Sequence, residues 1–203
     1  MIIIDCEQNS PEWYSYRLGN PGASQAHKLI TPAGKPSQSF DGFLNDMVNE
    51  VIDGEASTQY YSRDMEKGHE REAESRDLWQ MRNDIEIQQA GIIFKDEKRL
   101  FHISPDGIMP EIEWGFETKN SKATIQKKRL KSKKVEGKHW VQCQMSLYVT
   151  DYKAWVYQSY CRGMSTMTVI VYPDLEFIKK LEAQLYLFVG KLTLMVKEYK
   201  EAV

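Results

Sequence analysis

Cysteine is scarce in this chain: Cys6, Cys143 and Cys161 are the three in 203 residues, and nothing in their spacing suggests a pair. So few thiols exclude a disulfide-stapled scaffold and favour a reducing cytoplasm. Long apolar runs are missing as well. Ile2-Ile3-Ile4 and residues 185 to 189 fall far short of the roughly 20 residues a membrane span needs. The amino terminus lacks the basic region, apolar stretch and small-residue cleavage site of a signal peptide. There is no internal repeat, low-complexity tract or Pro/Gly/Ser-rich linker, so a single α/β domain over residues 1 to 203 is the expectation. Excess positive charge is also absent. Twenty-seven Lys and Arg against 29 Asp and Glu leave a net charge of −2, which argues against a protein that coats nucleic acid.

What charge there is lies in blocks. Nine basic residues fall between Lys119 and Lys138 with a single acid, Glu136, among them, while carboxylates crowd residues 66 to 77. By itself the basic stretch reads as a solvated loop or helix face. The periodicity predicts helices at about residues 11 to 18, from Ser24, over 40 to 53, 64 to 81 and 140 to 150, and after Pro173. Alternating or short apolar runs predict strands around Ile85 to Ile87 and over 91 to 94, 100 to 104, 115 to 118, 154 to 160 and 166 to 171, with a hairpin turn at Asp96-Glu97-Lys98. Helices flanking a central mixed sheet are the expected architecture. The stripe Phe177, Leu181, Leu185, Phe188 and Leu192 reads as core or a subunit contact.

The chemistry-bearing pattern is Ser104-Pro105-Asp106-Gly107 followed by Glu117-Thr118-Lys119, with ten residues between Asp106 and Glu117. Asp106 falls at a turn, and Glu117 and Lys119 project from the same face of a strand. Two carboxylates, the Thr118 carbonyl and one ammonium suit a hard divalent cation and a nearby attacking water. Glu70, on an acidic helix, and Gln142-Cys143-Gln144 add a third carboxylate and polar amides. Glu111 and Glu113 lie in the loop between the two carboxylates as extra acids. His27, His69, His102 and His139 show no metal-ligand spacing and read as structural or solvent-facing.

Taken in order, Glu70, Ser104-Pro105-Asp106-Gly107, Glu117-Thr118-Lys119 and Gln142-Cys143-Gln144 resemble the PD-(D/E)XK nuclease core, with its restriction-endonuclease-like fold. Trp13, Arg17-Leu18-Gly19, Ala23-Ser24 and residues 144 to 150 make the likeness specific to the phage lambda exonuclease and YqaJ-type viral recombinase branch. The resemblance implies that Asp106, Glu117, the Thr118 carbonyl and Glu70 hold Mg²⁺, with Mn²⁺ an alternative. It assigns water positioning to Lys119 and an active-site role to Gln144. Arg17, Ser24 and Ser104 match the positions of a pocket for a 5′-terminal phosphate. The implied activity is 5′ to 3′ exonucleolytic removal of one strand of duplex DNA for phage-type recombination. It implies a ring of three subunits, a single-strand annealing protein as partner, and a bacterial host cytoplasm with phage or prophage origin. Lys122, Lys127, Lys128, Arg129, Lys131, Lys133 and Lys134 would then face the DNA, with Tyr14, Tyr16 or Leu44 as strand-separating wedges. Three cysteines are too few for the four-cysteine cluster of the superfamily's iron–sulfur nucleases. An endonuclease on the same fold and a catalytically silent DNA-binding module are the rival readings.

Overall fold

In a computed structural model the backbone is described for residues 1–55 and 63–201, and side chains for the same residues except 63–69. The side chains of Glu66 and His69 therefore lie outside the described residues. The fold is mixed α/β, with strands gathered into two sheets rather than the one central sheet expected. The first is antiparallel and takes β1 (Ile2–Ile4), β2 (Ile92–Phe94) and β3 (His102–Ile103) in the order β1-β2-β3. The second is mixed, ordered β4-β5-β6-β7 from β4 (Gly107–Met109), β5 (Trp114–Asn120), β6 (Ala154–Tyr160) and β7 (Met167–Val171). Its β5 and β6 run parallel, Glu117 lying opposite Tyr157, while the other two pairings are antiparallel. Ser104-Pro105-Asp106 is the seam between the sheets. Proline has no N–H to donate to a ladder, so pairing stops there and the chain crosses from β3 to β4.

The helices follow their caps and apolar faces. Ser10 accepts from the Trp13 N–H at the start of α1 (Pro11–Arg17), with Pro11 at the first helical position. Gly54 ends α2 (Phe40–Asp53) at a φ of 71°. Asp174 accepts from the Phe177 N–H to cap α6 (Leu175–Glu201), whose Phe177, Leu181, Leu185, Phe188 and Leu192 are buried as core. That face packs on α2 through Phe40 and Phe43, the latter stacked on Phe188 at 5.0 Å. Leu44 is buried in the same layer, so it is not an exposed wedge. α5 (Gly137–Thr150) runs through the middle of the protein, buried on nearly every side.

Two expectations need correction, and one open alternative is resolved. The segment from Ser24 forms a short 3-10 helix, Ala23–Lys28, rather than an α-helix. Residues 85 to 87 form no strand, because the Ile87 N–H donates to Gln80 Oε1 at 2.6 Å and only Gln88 bridges to Ile108. Within the basic segment, residues 123 to 132 form α4 (Ala123–Ser132).

Candidate active site

α3 (Arg63–Asn83) lies against β5 and β6 through a buried polar chain. Ser75 Oγ and Thr118 Oγ1 are 2.6 Å apart, Gln158 Nε2 donates to the Ser75 carbonyl and hydroxyl, and Thr168 Oγ1 donates to Gln158 Oε1. The Thr118 side chain thus clamps the helix to one face of β5. Alternation along the strand turns Glu117 and Lys119 to the other face, toward α5. Asp106 arrives from the seam, and its Oδ2 accepts the Thr118 N–H at 2.7 Å. This bond ties the carboxylate to the strand that carries Glu117.

Glu117 is buried, Asp106 half-buried, and Lys119 Nζ pairs with Glu117. Burial pushes the Asp106 carboxyl up to about 6, with Lys119 opposing and Glu72 reinforcing the shift. Burial likewise pushes Glu117 up to about 7, against the pull of Lys119 and with the push of Asp106. For Lys119 burial works toward the neutral form, but Glu117 and Asp106 overcome it and raise the ammonium above its ordinary range. It stays charged. A buried and a half-buried carboxylate sharing one ammonium favour an added positive charge, and carboxylate oxygens are hard donors. The residues present therefore fit a divalent cation such as Mg²⁺ or Mn²⁺. Among the described residues no group of three His, Cys, Asp or Glu side chains stands gathered as a ready cage.

Two of the acids and amides predicted around this cluster are placed elsewhere. Glu70 is 73% exposed and faces Arg162 at 3.9 Å, alongside Glu74, which Arg162 also grips. The carboxylate that α3 sends toward Asp106 is Glu72, whose charge acts on Asp106 and which lines a cavity of about 850 Å³ with Arg76, Pro105 and Asp106. Arg76 Nη1 donates to the Asp106 carbonyl at 3.1 Å. Helical spacing was the signal: positions 72, 75, 76 and 79 share the face that buries Ser75 and Trp79, whereas 70 and 74 share the outer one. Gln144 is fully buried but turned away. Its Nε2 donates to the Tyr172 carbonyl at 2.8 Å and its Oε1 accepts the Asp174 N–H at 2.9 Å, tying the loop before α6. The amide that reaches Glu117 belongs to Gln142, because residues two apart on a helix point roughly 200° apart.

A second cluster forms on the first sheet. Arg17 lies over the Trp13 ring at 4.1 Å and its Nη1 donates to His102 Nε2 at 3.0 Å. Trp13 Nε1 donates to Ser104 Oγ at 2.9 Å. Gly22 precedes the 3-10 helix that carries the exposed Ser24, and a Cβ on Gly22 would come within 2.7 Å of His102 Nε2. Only glycine allows that approach. Arg17 and the start of the Ser24 helix thus meet at His102, while Ser104, bonded to the Trp13 that lies under Arg17, stands two residues from Asp106.

Of the basic segment, Lys122, Lys127, Lys128, Lys131, Lys133 and Lys134 are exposed. Arg129 is not. It is 7% exposed and donates to Ser121 Oγ, Ser159 Oγ and Glu136, with His139 beside it. Burial, then Lys119 and other cations, pushes His139 down to about 3, so it is neutral in this network. Replacing Arg129 by Met strands those buried hydroxyls and is expected to cost about 2 kcal/mol, read as a lower midpoint in urea. Lys128→Ala is expected to leave the stability within about 0.5 kcal/mol of wild type.

A family model described as the YqaJ-like viral recombinase domain matches residues 12–153. The chain is similar in structure to an alkaline exonuclease (LHK-Exo) from Laribacter hongkongensis, with a TM-score of 0.84 at 19% identity over 95% of this chain and 97% of that one. The same exonuclease in complex with dAMP gives a TM-score of 0.83 at 18% identity, with the same coverage of 95% and 97%. A phage related exonuclease from Haemophilus somnus 129PT gives 0.68 at 16% identity, over 89% of this chain and 96% of that one. At such identities the likeness is one of fold. Comparison with curated proteins gives no match. The family match takes in more than half of the chain, including α1, the seam at residues 104 to 106, β5 and α5, and the chain belongs to the YqaJ-like viral recombinase domain family.

Proposed function

We propose that the protein is a divalent-metal-dependent exonuclease that removes one strand of duplex DNA in the 5′ to 3′ direction from a 5′-phosphorylated end. The observation that carries this reading is the adjacency of the two clusters: Ser104 and Asp106 are two residues apart, on the seam where the Arg17 cluster meets the carboxylate cluster. A terminus-recognising site next to a hydrolytic one is what an exonuclease needs. An endonuclease has no use for the first.

In this reading Asp106, Glu117 and the Thr118 carbonyl hold Mg²⁺ or Mn²⁺, with Glu72 rather than Glu70 as the helix-borne carboxylate beside them. When bound, the cation supplies Lewis-acid charge at the scissile phosphate. Lys119, paired with Glu117, donates to the attacking water and offsets phosphate charge. Gln142 steadies Glu117 from α5. Arg17 presents a planar fork to a terminal phosphate, and Ser24 and Ser104 add hydroxyls. The six exposed lysines from Lys122 to Lys134 supply the backbone contacts, which Arg129 does not join. Lys128→Ala is expected to lower the slope of log affinity against log salt by about one.

The same reading includes a ring of three subunits, with the exposed Leu187, Leu194 and Tyr199 of α6 as apolar surface for a subunit contact. It also includes an annealing protein that takes up the 3′ tails, and a phage or prophage origin in a bacterial host. No helix among the described residues is long and apolar enough to cross a membrane.

The test is a linear duplex with a 5′-phosphate on one strand and a 5′-hydroxyl on the other, incubated with Mg²⁺. Shortening of the phosphorylated strand from its 5′ end is the expected result. Internal cuts without strand preference would indicate an endonuclease, and no cleavage with either cation a binding module.

A further inference from the structure

We infer that His102 is the positioning residue that sets the protein's preference for a phosphorylated 5′ end, by holding the Arg17 guanidinium in one orientation. The inference rests on the reading of Arg17, Ser24 and Ser104 as a terminal-phosphate pocket.

Three observations carry it. First, the direction of the bond is fixed by chemistry. Arginine has no acceptor, so Arg17 Nη1 donates and His102 Nε2 accepts at 3.0 Å, which places the imidazole proton on Nδ1. A neutral ring is what burial and the neighbouring guanidinium enforce, holding His102 well below the ordinary imidazole range. With Nη1 committed to His102 and the flat side of the guanidinium on Trp13, the remaining N–H edge of Arg17 is the one left to meet an anion.

Second, His102 is a poor choice for packing alone. It is 1% exposed, edge-on to Phe94 at 6.1 Å, and its Nδ1 has no hydrogen-bond partner among the described residues. A buried N–H without a partner destabilises the fold, and an apolar side chain of the same size would avoid that loss. What the histidine supplies and a phenylalanine could not is the acceptor for Arg17.

Third, Trp13 does for Ser104 what His102 does for Arg17. The indole N–H can only donate, and it occupies a lone pair of Ser104 Oγ. With that lone pair occupied, the Ser104 hydroxyl keeps its own proton for another acceptor. A guanidinium edge and a hydroxyl proton, both fixed by neutral aromatic partners, form a donor pair ready for phosphate oxygens. Neither neighbour adds a carboxylate that would compete with the anion. Gly22 contributes by letting the Ser24 helix start against the same imidazole.

The readout is the ratio of kcat/KM on duplexes with 5′-phosphate over 5′-hydroxyl ends, for wild type, Arg17→Ala, His102→Phe and His102→Gln. Phe fills the space without an acceptor, whereas the Gln amide oxygen can still accept from Arg17. The expected result is that Arg17→Ala abolishes the preference and His102→Phe lowers it at least about tenfold, the size of one hydrogen bond to a charged group. The loss should fall in KM and more heavily on phosphorylated than on 5′-hydroxyl ends, and His102→Gln should restore most of the preference. If Arg17→Ala removes the preference but His102→Phe keeps it, the inference is overturned and the pocket stands. Equal losses on both ends in His102→Phe would assign His102 to packing and also overturn it. If Arg17→Ala leaves the preference intact, the pocket reading fails first. Should His102→Phe not fold, Trp13→Phe reads the same ratio through Ser104: it keeps a ring under Arg17 but removes the N–H, and an unchanged ratio would count against the positioning scheme.

Discussion

Replacing Asp106 by Asn will lower duplex cleavage in Mg²⁺ at least about a thousandfold while leaving the metal-free protein as stable as wild type or more so. The two halves of this result come from the same carboxylate. Asn is isosteric, and its amide oxygen can still accept the Thr118 N–H that Asp106 Oδ2 accepts at 2.7 Å. What disappears is a negative charge in a place that disfavours it, since burial and Glu72 raise the Asp106 carboxyl and Asp106 in turn raises Glu117.

The pH dependence follows with a definite sign. In the folded metal-free protein these groups titrate at about 6 and about 7, above their unfolded values, so the native state binds more protons than the unfolded state between about pH 4 and 7. Wild-type stability without metal therefore falls as pH rises through that window. The variant should show a flatter profile, and Mg²⁺ should raise its melting temperature less at pH 8 than it does for wild type. Thermal melts with chelator and with Mg²⁺ at pH 5 and pH 8, beside a cleavage assay, measure all of this. Cleavage within tenfold of wild type would remove Asp106 from the site.

Lys119→Met makes the opposite case. Here too cleavage should fall by about three orders of magnitude, because the variant cannot orient water or offset phosphate charge. The metal-free protein should also lose about 3 kcal/mol at pH 8, since Glu117 and Asp106 are left without their compensating ammonium. At pH 5 both carboxyls can take up protons and the loss should shrink. Divalent cation should restore stability to Lys119→Met at pH 8 but not its cleavage activity. A pair of variants that differ in the sign of their metal-free stability and agree in their loss of cleavage would separate charge balance from simple misfolding. Equal destabilisation of both at pH 8 would contradict the charge account.

Much of this site is legible in the order of the residues. Glu117 and Lys119 share a face because strand side chains alternate, and Ser104-Pro105-Asp106-Gly107 announces a break because proline cannot join a ladder. The helix boundaries at Ser10, Gly54 and Asp174 are local capping events, each settled within a few residues. The core stripe of α6 is likewise a matter of spacing along one helix. All of these depend on interactions between near neighbours in the chain, which is why reading the chain in order recovers them.

The choice between equivalent-looking residues did not yield to that reading. Glu70 and Glu72 are both acids on one helix, and only the clamp of Ser75 against Thr118 and Gln158 decides that Glu72 turns toward Asp106. Gln142 and Gln144 differ only in which side of α5 meets β5 and which meets the loop before α6. Arg129 looked like one more cation in a basic run until α4 turned it under Ser121 and Ser159, and His102 looked idle until α1 delivered Arg17 to it across 85 positions of sequence. Most of the helices and strands, and the set of chemically capable residues, follow from local propensity and periodicity and so can be read along the chain. The tertiary structure decided which of those residues face one another, because helix rotation and the pairing of distant strands are set by packing against the rest of the chain.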